Sequence, residues 1–187
     1  KYNVILLHDN AYSDIIFGGK EGKSFLSYKG AMEVGIEFYS LSKSYNMTGM
    51  RISFALGNKD VIQMFRKVRS QIDYGIFLPI QKAAVAALTG PQDNVKEQCR
   101  IYEERNYALC RGMSSIGWKI PDGQGTMFVW APVPESFTSS EEFAVELVKK
   151  SGVLVTPGSA FGPSGEGYVR MALVQDEPEL KKGIAAI

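Results

Sequence analysis

The chain has 187 residues, of which 45% are hydrophobic, which is enough apolar content for one large or two small domains. Its 21 basic and 20 acidic side chains give a net charge of +1 without an evident basic cluster, which argues against binding to nucleic acid or to an anionic membrane. No apolar run approaches the ~20 residues of a membrane span, and no signal-peptide pattern opens the sequence.

The first 56 residues predict three strands separated by loops. Apolar runs at 4–7, 35–39 and 52–56 are short and nearly continuous, which is typical of buried strands whose sheet is covered by helices on both faces. This part of the chain therefore predicts an α/β fold.

Two helices should follow these strands. Asn58 is a good N-cap for a helix to about Ser70, and an alanine-rich helix is expected from Pro79 to Leu88, ended by Gly90.

A longer amphipathic helix is predicted over residues 93–115. One stripe of this helix carries Val95, Cys99, Tyr102, Asn106, Leu109 and Met113. A dimeric coiled coil is the rival interpretation, but barely three heptads with Asn106 in the seam argue against it.

After Gly117 the pattern becomes α+β. A strand is predicted over 126–131, and Ser139 and Glu142 form a capping box for a helix that should end at Gly152. Further strands are expected over 153–156 and 168–174, and then a terminal helix.

The cysteines and the histidine argue against two other kinds of site. Cys99 and Cys110 lie on the long helix about 16 Å apart at 1.5 Å rise per residue, too far for a disulfide, and are expected to be buried, reduced thiols in a cytoplasmic protein. With His8 as the sole histidine and no cysteine pair at ligand spacing, we expect neither a metal site nor a Ser-His-Asp triad.

The most informative segment surrounds Lys43, directly after the second strand. Ser40 lies three residues before the lysine, and Arg51 lies eight residues after it at the start of the third strand. A hydroxyl and a guanidinium suit a dianionic phosphate beside an amine that forms a Schiff base. A lysine in a polar loop is more commonly a solvated charge, so this segment needs a second signal.

Asp9 and Tyr12 supply that second signal. They follow the first apolar run, and open α/β sheets bind ligands at the carboxyl ends of their strands. The alternatives are a loop carboxylate for Asp9 and a packed aromatic ring for Tyr12.

Arg170 is a third signal, because an arginine inside a strand is costly to bury unless an anion meets it. Strand alternation places it on the same face as Tyr168 and Ala172. The alternative is an edge-strand charge that blocks aggregation.

The order Ser-x-x-Lys with Arg eight residues on, Asp-x-x-Tyr upstream, and Gly-Tyr-x-Arg after Pro-Gly-x-x-Phe-Gly resembles the class I/II aminotransferases, which are pyridoxal-phosphate enzymes of fold type I. The resemblance implies that Lys43 is the catalytic lysine, which carries the cofactor as a Schiff base and then moves the substrate α-proton.

The resemblance also implies the partners of the cofactor and of the substrate. Asp9 would pair with the pyridine nitrogen and Tyr12 with the phenolic oxygen, while Arg170 would bind the substrate α-carboxylate. The residues implied for the phosphate are Ser40, Ser42 and Arg51.

The family's chains are about twice this length, so the resemblance covers only their second half. It implies the carboxyl-terminal part of the large cofactor domain over 1–92, an interdomain helix over 93–115 and a small α+β domain over 116–187. It further implies a cytoplasmic homodimer, and a chain that is inactive without the residues that the first half supplies.

The residues around the motifs are most similar to those of LL-diaminopimelate aminotransferases, and alanine and aspartate aminotransferases share many of them. Met50 and Ser53 depart from the tryptophan and glycine that are common in the family. Three alternatives stay open: a pyridoxal-phosphate lyase or decarboxylase of the same fold, a non-catalytic sensing domain of a transcription regulator, and a self-contained structural domain. Tyr74 is either a surface-loop residue or one that reaches a partner's site.

Overall fold

The computed structural model describes Tyr2 and residues 4–187. The chain forms two compact units, Lys1–Cys99 and Arg100–Ile187. Each unit has its own three-stranded sheet.

The sheet of the first unit consists of β1 (Leu6–Asp9), β2 (Gly35–Ser40) and β3 (Ser53–Gly57), in that order. β1 runs parallel to β2, whereas β3 runs antiparallel to it. The predicted α/β character is therefore present, and the second and third strands lie within one residue of their predicted bounds.

The prediction of a buried strand at residues 4–7 is wrong. Pairing with β2 shifts β1 by two residues, so that Asp9 is its last member. Within the described part of the chain β1 is an edge strand, and the side chains of Val4, Ile5, Leu6 and Leu7 are 47–66% exposed.

Four α-helices lie wholly within the described part of the first unit. Two short ones, α1 (Ala31–Val34) and α2 (Leu41–Ser44), flank β2 and were not expected from the sequence. α3 (Lys59–Arg69) begins as predicted at Asn58, whose Oδ1 accepts hydrogen bonds from the backbone N–H groups of Asp60 and Val61. α4 (Leu78–Thr89) ends at Gly90, also as predicted.

A small core holds α2 against β3. Leu41, Ile52 and Ala84 are buried, with 0%, 4% and 3% exposure. The partly buried side chains packed around them are Tyr39, Tyr45, Met47, Phe54, Ile76 and Ile80. This core anchors the residues on both sides of Lys43.

The long helix α5 (Asp93–Ser115) has the predicted bounds. Tyr102, Asn106, Leu109 and Met113 from the predicted stripe are buried within the second unit. Asn106 Oδ1 accepts a 2.9 Å hydrogen bond from the backbone N–H of Gly123, so the polar residue in the stripe has an internal partner. A coiled-coil seam would need this stripe to be exposed, and it is not.

The second unit has an antiparallel sheet in the order β4 (Phe128–Pro132), β6 (Tyr168–Ala172), β5 (Thr156–Pro157). The strand predicted at 153–156 is reduced to the short β5. Helix α6 (Ser140–Ser151) starts at the predicted capping box, where Ser139 Oγ accepts a hydrogen bond from the N–H of Glu142. The last helix is α7 (Glu177–Ala186).

Neither cysteine forms a disulfide, and Cys110 is buried while Cys99 is only partly so. Among Tyr2 and residues 4–187, no helix has both the length and the apolar character needed to cross a membrane.

Candidate active site at one edge of the first sheet

The strand register brings three predicted site residues to one edge of the first sheet. Asp9 ends β1 opposite Phe38, and Ser40 ends the parallel strand β2. Because β3 is antiparallel, it begins at the same edge, where Ser53 pairs with Ser40. Arg51 lies two residues before that start. Asp9, Ser40 and Arg51 therefore meet at the edge where α/β sheets bind their ligands.

Lys43 lies on the short helix α2 and not in a loop. Ser40 caps this helix, because its Oγ accepts a 3.2 Å hydrogen bond from the N–H of Ser42. The carbonyl of Ser42 in turn accepts a 2.9 Å hydrogen bond from Thr48 Oγ1. Local bonds therefore fix the backbone that carries the lysine.

The Lys43 amine lies 5.9 Å from the centroid of the Tyr12 ring. The lysine side chain is half-buried, and the amine forms no hydrogen bond or ion pair with another residue in the described part of the chain. The structure therefore brings together Lys43 and Tyr12, two residues whose predicted roles both concern the same cofactor.

Arg51 has a left-handed backbone, with φ 51° and ψ 46°. For a residue other than glycine this conformation costs on the order of 1 kcal/mol. Its Nη1 donates a 3.1 Å hydrogen bond to the carbonyl of Thr48, and the residue is exposed. The local hydrogen bond and the turn together hold the guanidinium near the sheet edge.

A cluster around Asp14 was missed by the sequence analysis. Asp14 Oδ2 accepts hydrogen bonds from the hydroxyls of Tyr39 and Ser44, the latter at 2.5 Å. Burial and the neighbouring Asp14 carboxylate raise the pKa of Tyr39, so its hydroxyl remains a proton donor. These residues are far apart in the sequence, and no spacing signal could have joined them.

Glu37, in the centre of β2, is a second residue that was missed. Its carboxylate is buried and accepts hydrogen bonds from His8 Nδ1 (2.9 Å), Asn10 Nδ2 (3.1 Å), Ser24 Oγ (3.0 Å) and the N–H of Phe25 (2.6 Å). Burial alone would raise the pKa of Glu37, but these donors outweigh it and hold the pKa below 4.5.

The position of Glu37 fixes the residues on both sides of Asp9. His8 and Asn10 both bond to the buried carboxylate, while Asp9 between them is exposed. Because neighbouring strand residues point to opposite faces, Asp9 is held on the face away from Glu37.

Arg170 belongs to the second unit and is described there alone. It lies in β6, the central strand of its sheet, opposite Trp130 on one side and Thr156 on the other. The edge-strand interpretation of this arginine is therefore wrong. Its guanidinium carbon lies 4.3 Å from the ring centroid of Phe128 and 4.7 Å from that of Phe161.

The chemistry of the donors in the first unit fits pyridoxal phosphate. Lys43 provides an amine for the aldehyde that makes no hydrogen bond or ion pair among the described residues, and Asp9 an exposed carboxylate for the ring nitrogen. Tyr12 provides a phenol for the phenolic oxygen. The hydroxyl and guanidinium donors suited to a phosphate are Ser40, Ser42 and Arg51.

The first unit thus has the features of an α/β protein that holds a ligand at the carboxyl ends of its strands. The family model for aminotransferase class I and II matches residues 1–187. The chain belongs to the aminotransferase class I and II family.

Relatives of known name agree with this membership. The LL-diaminopimelate aminotransferase of Dehalococcoides mccartyi strain 195 is 47% identical over 187 residues, which are 100% of this chain and 48% of that protein. The enzyme of the same name from Halothermothrix orenii is 44% identical over 184 residues, 98% of this chain and 47% of that protein. The chain therefore spans about half the length of the curated relatives it matches.

Solved structures share the fold. BacF from Bacillus subtilis, 36% identical, superposes with a TM-score of 0.95 over 99% of this chain and 47% of its own. A probable N-succinyldiaminopimelate aminotransferase from Thermus thermophilus, 35% identical, gives 0.91 over 97% of this chain and 48% of its own. The fold is therefore that of the fold type I aminotransferases, as the sequence predicted.

Proposed function

We propose that the full-length protein containing this chain is a pyridoxal-phosphate-dependent aminotransferase, which transfers an amino group between an amino acid and a 2-oxo acid. One observation carries the proposal. The Lys43 amine makes no hydrogen bond or ion pair in the described part of the chain and lies 5.9 Å from the Tyr12 ring, at a sheet edge shared with Asp9, Ser40 and Arg51.

Each residue has a distinct task in this proposal. Pyridoxal phosphate, when bound, supplies an aldehyde that condenses with amines and a ring that withdraws electrons from the substrate α-carbon. Lys43 would hold the aldehyde group through its amine, and this amine would be the general base that removes the substrate α-proton. Asp9 would pair with the pyridine nitrogen and keep it protonated, and Tyr12 would donate a hydrogen bond to the phenolic oxygen.

Phosphate binding is the task of Ser40, Ser42 and Arg51. A guanidinium and two hydroxyls together offer several donors to a dianion, and charge-assisted bonds of this kind are the strong ones. They would hold the phosphate end of the cofactor in place.

Arg170 binds the substrate α-carboxylate in this proposal. Its planar fork can meet a carboxylate with two parallel hydrogen bonds. The guanidinium makes no hydrogen bond or ion pair with another described residue, so its donors are available.

LL-Diaminopimelate is the amino donor to test first, since relatives at 44–47% identity carry that name. The experiment supplies the full-length protein with pyridoxal phosphate and 2-oxoglutarate, and follows glutamate formation from a panel of amino donors that includes this one. Turnover with an amino donor supports the proposal. Release of ammonia or carbon dioxide without glutamate would indicate a lyase or a decarboxylase instead.

Binding of the cofactor without any turnover across the panel would favour the non-catalytic sensing domain. The isolated 187-residue chain is assayed in parallel, and we propose that it is inactive, because it spans only 48% of its relatives. Transamination by the isolated chain would contradict that part.

We further propose a cytoplasmic homodimer. The loop between α3 and α4 presents Ile72, Tyr74 and Phe77, which are 73%, 108% and 72% exposed, and an apolar surface of this kind is suited to a partner subunit. Sedimentation of the full-length protein tests this, with a monomer as the contrary result.

The domain organisation is part of the same proposal. We assign residues 1–92 to the carboxyl-terminal part of the cofactor domain, 93–115 to the interdomain helix and 116–187 to the small domain. The two compact units of the structure divide within the proposed interdomain helix, which is consistent with this assignment.

A further inference from the structure

The environment of Arg170 is unusual for a charged side chain. Phe128 and Phe161 approach its guanidinium carbon at 4.3 Å and 4.7 Å. Both distances are well within the roughly 6 Å over which a cation is attracted to an aromatic face. Arg170 is half-buried, so these contacts are also partly shielded from water.

The N–H donors of Arg170 have no hydrogen-bond or ion-pair partner within Tyr2 and residues 4–187. In a protein, a guanidinium that is partly withdrawn from water normally meets an acid or a carbonyl group. Here the aromatic rings interact with its charge but cannot accept its planar hydrogen bonds. A planar, bidentate anion could accept two parallel hydrogen bonds from this fork.

Both rings are held by the fold. Phe128 is the first residue of β4, where it pairs with Ala172 of the strand that carries Arg170. Phe161 ends a short 3-10 turn, Gly158–Phe161, and its ring meets that of Trp130 edge-on at 5.6 Å. The turn begins at Gly158, whose backbone lies close to that of Gly165: a Cβ on Gly158 would lie 1.9 Å from the carbonyl oxygen of Gly165.

We propose that Phe128 and Phe161 are positioning residues that hold the Arg170 guanidinium in one orientation for the substrate carboxylate. This rests on the proposed function, in which Arg170 binds that carboxylate. A long arginine side chain loses considerable rotamer freedom when it binds an anion. Contacts that fix it beforehand reduce this loss and therefore tighten carboxylate binding.

The test compares four variants of the full-length protein. Phe161→Leu and Phe128→Leu each remove an aromatic face but keep an apolar side chain, whereas Phe161→Tyr retains the aromatic face. Tyr168→Leu is the matched control: Tyr168 stacks on Trp130 with 5.6 Å between ring centroids, and among the described residues the rings in cation–π contact with Arg170 are those of Phe128 and Phe161.

The readout does not depend on turnover. Phenylglyoxal condenses with arginine side chains, and peptide mass mapping gives the rate at Arg170, with and without propionate as a simple carboxylate. We expect propionate to protect Arg170, with a half-protecting concentration about five-fold higher in each leucine variant, as loss of one cation–π contact implies. Phe161→Tyr and Tyr168→Leu should match the unsubstituted protein.

Kinetics of the active protein give a second readout. The leucine variants should raise KM for the amino donor about five-fold with kcat changed less than two-fold, because binding and not the chemical step is affected. A general loss of folding would lower kcat per total protein instead.

The two proposals fail in different ways. If propionate protects Arg170 equally in the unsubstituted protein and both leucine variants, the positioning inference is overturned while the role of Arg170 stands. If propionate protects Arg170 in none of them, both the inference and the proposed carboxylate role are overturned. If the protection pattern is as expected but no amino donor is turned over, the inference is supported and the proposed aminotransferase activity fails.

Discussion

The hydroxyl of Ser44 donates a 2.5 Å hydrogen bond to the carboxylate of Asp14, thirty residues earlier in the chain. Ser44 follows Lys43 directly, and Asp14 lies two residues after Tyr12. The bond therefore links the helix that carries the proposed catalytic lysine to the turn that carries its neighbouring phenol. Tyr39, donating to the same carboxylate oxygen, adds the end of β2 to the link.

Replacing Asp14 with asparagine should loosen this link. Two hydroxyl donors would lose a charged acceptor. A hydrogen bond to a charged group contributes about 1.5–3 kcal/mol to the free energy of unfolding, and this is the upper limit of the loss for each bond. We also expect weaker binding of pyridoxal phosphate, since the Lys43 segment would be less well fixed. Urea unfolding and a spectroscopic titration of the cofactor measure the two effects in the full-length protein.

Asp73→Asn is the matched control for Asp14. Asp73 forms an exposed ion pair with Arg69, and such pairs contribute about 0–1 kcal/mol. Equal effects of the two substitutions would mean that the cluster around Asp14 is not important for the site.

Lys43→Ala should abolish transamination, with a loss of about 10²–10⁴-fold or more, because the general base is removed. Borohydride reduction of the unsubstituted protein with bound pyridoxal phosphate should attach the cofactor to Lys43, as peptide mass mapping would show. Lys59→Ala, which changes an exposed lysine at the start of α3, should leave both results unaltered. Attachment at a different lysine would refute the assignment.

Glu37 should make the free energy of unfolding depend on pH in the acidic range. Its folded-state pKa is lowered, so its contribution is fully present above the unfolded value near 4.5 and is lost as the pH falls through the folded value. Glu37→Gln should therefore cost about 2–3 kcal/mol at pH 7, and the difference from the unsubstituted protein should shrink below pH 4.5.

Urea unfolding between pH 3 and pH 7 measures that difference, and Glu33→Gln, at an exposed position in α1, is the control. A cost for Glu37→Gln that stays constant over this range would show that the buried carboxylate is not the origin of the effect.

Cys110 should be nearly inert towards alkylation in the folded protein. Burial, with the neighbouring charge of Asp122, raises the pKa of the Cys110 thiol to about 11, so that at pH 8 only about one molecule in a thousand carries the reactive thiolate. Iodoacetamide labelling with mass mapping should modify the partly exposed Cys99 first. In concentrated urea Cys99 and Cys110 should react with iodoacetamide at similar rates. Equal labelling rates of the two cysteines in the native protein would contradict this prediction.

The sequence predicted the elements with strong local signals. Asn58 and Ser139 cap the helices that they were expected to cap, and the long helix has the expected bounds. Short or edge strands were predicted less well, because pairing decides their limits: β1 moved by two residues and the strand expected at 153–156 nearly vanished.

The same distinction between local signals and tertiary pairing applies to the candidate site. The resemblance implied Asp9, Tyr12 and Lys43 as site residues, and the structure places the Lys43 amine 5.9 Å from the Tyr12 ring centroid. The residues that support them were invisible in the sequence. Asp14 and Glu37 look like ordinary loop and strand acids until the register brings their donors together.

The eight-residue spacing from Lys43 to Arg51 can be understood from the reversal of chain direction at β3. The chain leaves β2 at Ser40 and must re-enter the sheet at Ser53, its pairing partner, so that Arg51 stands at the same edge as the lysine. A loop one residue shorter or longer would either slide β3 along β2 or move the guanidinium relative to the amine. The spacing between Lys43 and Arg51 is therefore constrained by the pairing of β3 with β2. We expect an inserted residue in this segment to be far less tolerated than a replacement of Met50.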